Sequence, residues 1–291
     1  MARQQVRNYE IATDAARLNL LTNGGFEIWQ RGNGPFNTNN AYTADRWQVT
    51  FGAGSTASVS QSGSANADNS GQCLAFTFTG GGGYTNLAQN IENSLVWSIW
   101  NGRTVTFSIR VKTTGAGVRA FIYQGSNQYS TAHTGDGTYQ TLIVTRLMTG
   151  TTPVNVGLEL NTGSGVAYVD NAMLVMGSVA ADYAPLHPAD DLARCLRYYE
   201  IIGASSAASV VLRGYCGSLA ALQSTLRFTK KPVTPTVTKV GTWTVSNASQ
   251  PTVPNVDLDS TNLTVTNTGT AGDTFANNNG GGACITIESN P

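Results

Sequence analysis

The sequence predicts an all-β protein: an antiparallel jelly-roll sandwich, then one linker helix, then a smaller C-terminal β-domain. Three observations support this fold class. Polar and apolar residues alternate over many short segments, the connections are rich in Gly, Asn and Asp, and helical periodicity appears in one segment. Because successive side chains of a strand point to opposite faces, this alternation predicts sheets with one face in a core and one face in solvent.

The clearest alternation runs through the middle of the chain. Val105, Phe107, Ile109 and Val111 share one face of a predicted strand. The strands predicted in this region cover residues 104–111, 118–123, 140–147, 154–160 and 165–175. Glycine-containing turns separate them, and short strands joined by such turns are typical of sandwiches and jelly rolls.

One helix is predicted at Pro188–Tyr199, after a stiff, proline-containing segment. Asp190 and Asp191 complement the positive end of its dipole. An apolar stripe recurs at helical spacing and consists of Leu192, Cys195, Leu196 and Tyr199. We expect the stripe to pack either on other copies of the chain or on the C-terminal β-domain of its own chain.

After the helix the alternation resumes, with strands predicted at residues 207–215, 218–228, 236–245 and 283–288. The stretch 251–282 is rich in Asn, Thr and Gly and predicts long loops with short strands. The predicted organisation is therefore an N-terminal arm (1–17), a jelly roll (18–180), a linker with the helix (181–200) and a C-terminal β-domain (201–291).

The composition argues against several classes of protein. Charged residues make up 12% of the chain, with 17 basic and 17 acidic side chains, so no basic face favours nucleic acid. No stretch of about 20 apolar residues predicts a membrane span. The N-terminus lacks the apolar core of a signal peptide, so we expect folding in a cytoplasm.

The cysteines and histidines give no sign of catalysis. Four widely spaced cysteines without a CxxC pair predict buried or half-buried free thiols: Cys73, Cys195, Cys216 and Cys284. His133 and His187 have no nucleophile signature beside them. No motif marks a carboxylate pair for glycoside hydrolysis, and no repeat marks the β-helix of a tailspike hydrolase. We therefore predict no enzyme activity and no required cofactor.

Three segments are distinctive: NLLTNGGFEIWQRG at 19–32, YTADRW at 42–47 and LARCLRYYE at 192–200. Together they resemble bacteriophage tail-fibre and virion structural proteins, whose jelly roll is similar to carbohydrate-binding modules. The resemblance covers roughly residues 18–230. It implies a non-enzymatic virion protein, a tail fibre or appendage with host-surface glycan binding. A capsid decoration, cement or head-fibre protein is the alternative.

The resemblance also implies other virion proteins as partners and a homo-oligomer, most simply a trimer. The arm at 1–17 has few sizeable apolar side chains, too few for a core of its own. We expect it to attach the protein to the particle as an extended peptide. The alternative is that the arm folds back on its own jelly roll.

The aromatic residues of the first two segments have two interpretations. Phe26, Trp29 and Trp47 either anchor the first strands, with arginines stacked on rings, or form an exposed platform for sugars. For glycan binding proper the candidates are Tyr84, Trp97 and Trp100. Burial in the core is the alternative for the two tryptophans.

A structural calcium ion is a further expectation, implied by the resemblance to carbohydrate-binding jelly rolls. Its ligands there correspond to Glu27 and Asp170 in this sequence. The alternatives are a hydrogen-bonded pair of acids without metal, or two surface acids. Two carboxylates alone fall short of the about six to eight oxygens that calcium prefers.

Overall fold

The computed structural model describes residues 18–63, 71–80, 83–92, 100–115, 117–150, 152–160, 163–204, 207–279 and 282–291. The predicted arm lies outside these residues. The chain divides into a first unit that ends at Asp191, together with Pro291, and a second unit at Leu192–Asn290. The division therefore falls inside the helix, whereas the sequence predicts a boundary in the proline-containing segment before it.

The first unit is a sandwich of two five-stranded antiparallel sheets. Its strands are β1 Trp47–Phe51, β2 Thr56–Ser62, β3 Cys73–Thr79, β4 Thr85–Asn90, β5 Thr104–Thr113, β6 Val118–Gln124, β7 Asn127–Tyr129, β8 Tyr139–Leu147, β9 Val154–Leu160 and β10 Ser164–Met176. The front sheet has the order β1-β4-β9-β6-β7 and the back sheet the order β2-β3-β10-β5-β8. The predicted all-β jelly-roll fold is confirmed.

The core of the first unit lies between the two sheets. Val105, Phe107, Ile109 and Val111 of β5 are fully buried, as the alternation predicts. Burying one such side chain stabilises the fold by about 1.5–3 kcal/mol. The alternate positions of the same strands point away from this core, so the outer face of each sheet is free for polar side chains.

The five strands predicted in the middle of the chain all exist. β9 has the predicted bounds, and the other four extend by one or two residues at one or both ends. The inward positions of the earlier strands β1 to β4 also pack on the core. In β4, for example, Thr85, Leu87 and Gln89 are buried while the residues between them are half-buried.

The second unit begins within the helix. Helix α1 covers Pro188–Leu196, and the strands are β11 Tyr199–Ile202, β12 Val211–Cys216, β13 Ala221–Arg227, β14 Thr236–Val240, β15 Thr244–Ser246, β16 Ser260–Thr266, β17 Gly272–Asn277 and β18 Cys284–Glu288. They form the sheets β11-β18-β14, β12-β17-β15 and β13-β16. A separate core surrounds the buried Trp243, Ile285 and Ile287.

Two expectations for this region need correction, and the one for 251–282 is confirmed. The helix ends at Leu196, so Tyr199 begins a strand instead of ending the helix. The strand predicted at 236–245 is two strands, because Gly241 between them adopts a positive φ of 69° that breaks the extended backbone. The short strands predicted within the stretch 251–282 are β16 and β17, and alternate residues such as Val265 reach the core.

A buried lysine stabilises the second unit. The Lys231 side chain is fully buried and its Nζ donates to the carbonyl oxygen of Leu196, at the end of α1, and to Glu200 Oε2 at 3.1 Å. Burial lowers the pKa of Lys231, and the nearby Glu200 carboxylate partly offsets that effect. This ammonium therefore caps a helix end that would otherwise lack donors.

Within the described ranges, no helix is long and apolar enough to cross a membrane.

Candidate functional site

The NGGFE segment at 23–27, part of the first distinctive segment, is organised by one asparagine. Asn23 is fully buried with φ 55°, and its Oδ1 accepts the backbone N–H groups of Glu27 and Ile28, each at 3.0 Å. Its Nδ2 donates to the carbonyl oxygens of Ile28 at 2.9 Å and Asp45 at 3.1 Å. The Trp47 indole donates to the Asn23 carbonyl at 3.0 Å. Asn23 thereby ties the first residues to the start of β1.

The aromatic rings of this segment support the anchoring interpretation. Phe26 and Trp47 are fully buried with ring centroids 4.7 Å apart, and Trp29 is also buried. The Arg31 guanidinium lies 5.2 Å above the ring centre of Tyr42. An exposed sugar platform at Phe26, Trp29 and Trp47 is therefore wrong, because these rings are inside the protein.

The two acids proposed for calcium have different surroundings. Asp170 is fully buried beside a bulge in β10, and its Oδ1 accepts the Asn171 N–H at 2.8 Å, whereas Glu27 is exposed. Burial and the charges of Asp191, Glu27 and Asp170 raise the pKa of Tyr183, which places both acids near one tyrosine. Among the described residues, no group of three or more His, Cys, Asp or Glu is arranged to hold a metal. Calcium stays a prediction.

The predicted glycan-binding aromatics separate into three cases. Trp100 is buried in the core between the sheets, so its role as a glycan contact is wrong. Trp97 lies outside the described residues. Tyr84 is 51% exposed and lies at the rim of a groove, which is therefore the strongest candidate site.

The apolar stripe predicted to lie on the helix is divided by the fold. Cys195 and Tyr199 are buried within the chain, Leu196 is half-buried and Leu192 is 40% exposed. The stripe is thus used mainly inside the chain, and it gives no support to the predicted trimer, which stays a prediction. None of the four cysteines forms a disulfide and all four are buried, as predicted.

The groove lies on the outer face of the front sheet and has a volume of about 380 Å³. Side chains from all five strands of the front sheet and from two neighbouring loops converge on it, because alternate residues of each strand point outward. Most are uncharged and polar, and several carry a carboxamide. They are Asn40, Gln48, Thr50, Tyr84, Asn86, Ala88, Asn90, Phe121, Tyr123, Asn127, Asn155 and Glu159.

The middle of the groove has a floor without bulky side chains. Ala88 of β4 is opposite Gly157 of β9. A Cβ at Gly157 would lie 2.1 Å from the Leu87 carbonyl oxygen and 2.7 Å from the Ala88 Cα, closer than real atoms approach. Gly157 therefore permits the two central strands to approach closely, and the small floor leaves space for a ligand.

Amide side chains flank the floor on both sides. Asn90 is opposite Asn155, whose Nδ2 donates to Asn90 Oδ1 at 3.2 Å, and Asn86 is opposite Glu159. The Oδ1 atoms of Asn86 and Asn155 are shielded from solvent and have no hydrogen-bond partner. An unpaired buried acceptor costs about 1–3 kcal/mol, so rotation of either amide toward a ligand hydroxyl is favourable.

At one edge of the groove, hydrogen bonds from neighbouring side chains surround the Glu159 carboxylate. Its Oε1 accepts from Arg119 Nη2 at 2.8 Å, and its Oε2 accepts from the Tyr129 hydroxyl at 2.8 Å and from Asn127 Nδ2 at 3.4 Å. The Arg119 guanidinium also lies 3.6 Å above the centre of the Tyr129 ring. Burial and the hydrogen bond to Glu159 raise the pKa of Tyr129. The single carboxylate of the groove is therefore neutralised and held in place.

Two tyrosines stand at the ends of the groove. The Tyr84 ring lies beside the backbone of Gly52, whose N–H donates to the Tyr84 carbonyl at 2.8 Å. Tyr123 of β6 is opposite Asn155 on one side and Asn127 on the other. Both rings are at least partly accessible, so each can stack on an apolar face of a ligand.

Of the groove residues, only Tyr84 was predicted from the sequence as a glycan contact. The available signal was the short segment TNLAQN of β4, in which Asn86 and Asn90 occupy outward positions two and six residues after Tyr84. Such amide-bearing strands are also common on surfaces without function. Only the sheet order brings them beside Asn155, which is 65 residues from Asn90 in the chain.

Comparisons with known proteins give weak likenesses. No family model and no curated protein matches the sequence. Among solved structures, the xylan-binding CBM22-1 domain of Xyn10C from Paenibacillus barcinonensis has 16% identity and a TM-score of 0.39, with 57% of this chain and 98% of that domain covered.

Two further structures are similar at the same level. TmCBM61 in complex with β-1,4-galactotriose has 14% identity and a TM-score of 0.37, with 55% and 99% covered. A tailspike protein 4 domain of bacteriophage CBA120 has 14% identity and a TM-score of 0.37, with 55% of this chain and 21% of that chain covered. Likenesses this low identify no family, so the function rests on the groove itself.

Proposed function

We propose that the protein is a non-enzymatic glycan-binding protein and that the groove of the front sheet is its site. The observation that carries the proposal is the convergence of uncharged amides and two accessible tyrosines around a floor of small residues. Sugars present hydroxyl groups that both donate and accept, and flat C–H faces. Carboxamides match the hydroxyl groups, and tyrosine rings match the apolar faces.

The charges of the groove favour binding over hydrolysis. Glycoside hydrolases ordinarily use a pair of carboxylates, one as acid and one as base or nucleophile. Glu159 is the one acid among the groove-lining residues, and Arg119 holds it at 2.8 Å. The groove lining therefore lacks the second carboxylate of such a pair.

A paired substitution tests the site. Tyr84→Ala should lower the affinity for glycans by at least about tenfold, because it removes a stacking surface at the groove rim. The matched control is Tyr215→Ala, which removes a 78% exposed tyrosine of the second unit that does not line the groove. Retention on a glycan array and titration calorimetry would measure both. Equal loss in the two variants, or in neither, would refute the proposal.

The biological setting that we propose is a phage tail fibre or appendage. The support is the resemblance of the segments at 19–32, 42–47 and 192–200 to virion proteins. Electron microscopy of virions labelled with an antibody to this protein should show it on the tail. Label on the capsid would favour the decoration, cement or head-fibre alternative.

The arm at 1–17 is proposed to attach the protein to the particle. A chain that starts at Leu18 should keep its melting temperature and its glycan affinity but fail to incorporate into virions. Normal incorporation of the shortened chain would contradict this role.

A further inference from the structure

The polar groups of the groove extend along the central strands instead of meeting at one point. Asn86 and Asn90 are four residues apart on β4, which corresponds to about 14 Å at about 3.4 Å per residue. Asn155 is opposite Asn90, so the two unpartnered amide oxygens lie at opposite ends of that span. One sugar ring is too short to bond to both, whereas a trisaccharide is long enough.

Each end of the span also has an aromatic ring. Tyr84 precedes Asn86 by two residues and lies beyond the first end, and Tyr123 is opposite Asn155 at the second. Between the two ends lie the small floor residues Ala88 and Gly157. The groove therefore has two separate positions that pair an amide with a tyrosine, with the small residues Ala88 and Gly157 between them.

The electrostatics of the groove select against charged ligands. Glu159 is the one charged side chain that lines it, and Arg119 and Tyr129 already occupy its oxygens. The vacant Oδ1 atoms of Asn86 and Asn155 need donors, and a carboxylate or sulfate group offers acceptors only. An anionic group placed against these two oxygens would lose its hydration without gaining a donor from them.

From these observations we propose that the groove recognises an internal stretch, at least three sugars long, of an uncharged polysaccharide laid along β4 and β9. The inference rests on the proposed function, since it requires a glycan in the groove. Contacts spread along an open groove depend on chain length and do not need a chain end.

Titration calorimetry with the full chain tests the length requirement. The probes are ladders from monosaccharide to hexasaccharide of xylan, β-1,4-galactan, mixed-linked β-glucan and dextran. For a ladder that binds, the trisaccharide should bind at least about tenfold more tightly than the monosaccharide. A hexasaccharide with both ends blocked by methylation should bind as tightly as the unblocked one.

Substitutions at the two ends sharpen the test. Asn86→Ala and Asn155→Ala should each weaken hexasaccharide binding by about five- to tenfold, the effect of one lost hydrogen bond. A disaccharide reaches one end only, so only one of the two variants should weaken its binding. A hexasaccharide oxidised to carboxylates at its primary hydroxyls should bind at least about tenfold more weakly than the neutral one.

Three results would overturn the inference: equal affinity for monosaccharide and hexasaccharide, loss of binding after the ends are blocked, or equal affinity for the oxidised chain. Binding confined to charged glycans on the array would do the same. In all these cases the proposed function survives if Tyr84→Ala still weakens glycan binding by at least about tenfold and Tyr215→Ala does not. If no glycan of either kind binds, or if Tyr84→Ala has no effect, the proposed function itself fails.

Discussion

The motif segment at 19–47 and the groove of the front sheet use polar residues in opposite ways. In the motif segment the polar atoms of Asn23 are fully engaged with the chain's own backbone, and the neighbouring aromatic rings are buried. In the groove, amide oxygens of Asn86 and Asn155 have no partner, and the Tyr84 ring is half in solvent.

This difference separates the residues that build the fold from those available to a ligand. The motif segment is distinctive in sequence because Asn23 must combine a positive φ with several side-chain hydrogen bonds, which few residue types can do. The groove is inconspicuous in sequence because many polar residues fit an outward position of a strand. In this protein the distinctive motif therefore identifies residues that hold the fold together, such as Asn23, and does not identify the binding surface.

The largest expected effect is at Asn23. Asn23→Ala should lower the free energy of unfolding of the first unit by about 4 kcal/mol, because it removes several buried hydrogen bonds and places a Cβ residue at positive φ. Asn155→Ala in the groove should cost less than about 1 kcal/mol. Urea unfolding followed by near-ultraviolet circular dichroism measures both.

Asn23→Gly is the matched control, since glycine keeps the positive φ but loses the side-chain bonds. It should lie between the wild-type chain and Asn23→Ala. Similar losses for Asn23→Ala and Asn155→Ala would remove the distinction between anchor and groove.

A somewhat smaller effect is expected at Gly157, where groove and fold depend on the same residue. Gly157→Ala should destabilise the first unit by about 2–3 kcal/mol, because its Cβ meets the backbone of β4 at Leu87 and Ala88. Glycan affinity should fall in the same variant as the floor deforms. The control is Ala88→Gly on the opposite strand, which should cost about 1 kcal/mol or less. A stable Gly157→Ala variant would show that the strands separate easily.

In the second unit, Lys231 is a buried polar group that, like Asn23, bonds within the chain and is not available to a ligand. Lys231→Met should destabilise that unit by about 2 kcal/mol, since the Leu196 carbonyl and Glu200 lose a charged donor. Fluorescence of Trp243, which lies in the core of that unit, can report its unfolding.

The pH dependence has a defined sign. The pKa of Lys231 is lower in the folded chain than its ordinary value of 10.5, so at alkaline pH the unfolded chain holds a proton that the folded chain has lost. The contribution of Lys231 to stability therefore rises as pH increases toward 10.5. Lys231→Met should lack this rise. An unchanged alkaline profile in the variant would contradict the assignment.

The smallest expected effect concerns calcium at Glu27 and Asp170. If the site exists, calcium at about ten times its dissociation constant should add about 1.4 kcal/mol to the stability of the first unit. Glu27→Gln should remove most of that gain, and magnesium should give less, because it accepts irregular oxygen sites poorly. Differential scanning calorimetry with and without a chelator measures the shift. No shift with calcium, or an equal shift in Glu27→Gln, would leave two acids without a metal.

The sequence by itself determined the fold class and the middle strands. Apolar alternation in segments such as 104–111 and 154–160 fixes which face is buried, because the two-residue period of a strand is a local property. It also indicated the helix and its approximate start. It misplaced the helix end, since whether Tyr199 continues a helix or starts a strand depends on its pairing with Glu288 in β18.

Only the tertiary structure decided which polar and aromatic residues meet at a site. Trp100 and Tyr84 look equally suitable for stacking in the sequence, yet the first is in the core and the second is at the groove rim. Asn86 and Asn155 become neighbours of one groove because β4 and β9 pair, and that pairing depends on the sheet order of the whole sandwich. The period of a strand can be recognised from adjacent residues, whereas the convergence of side chains on one site depends on strands that are far apart in the chain.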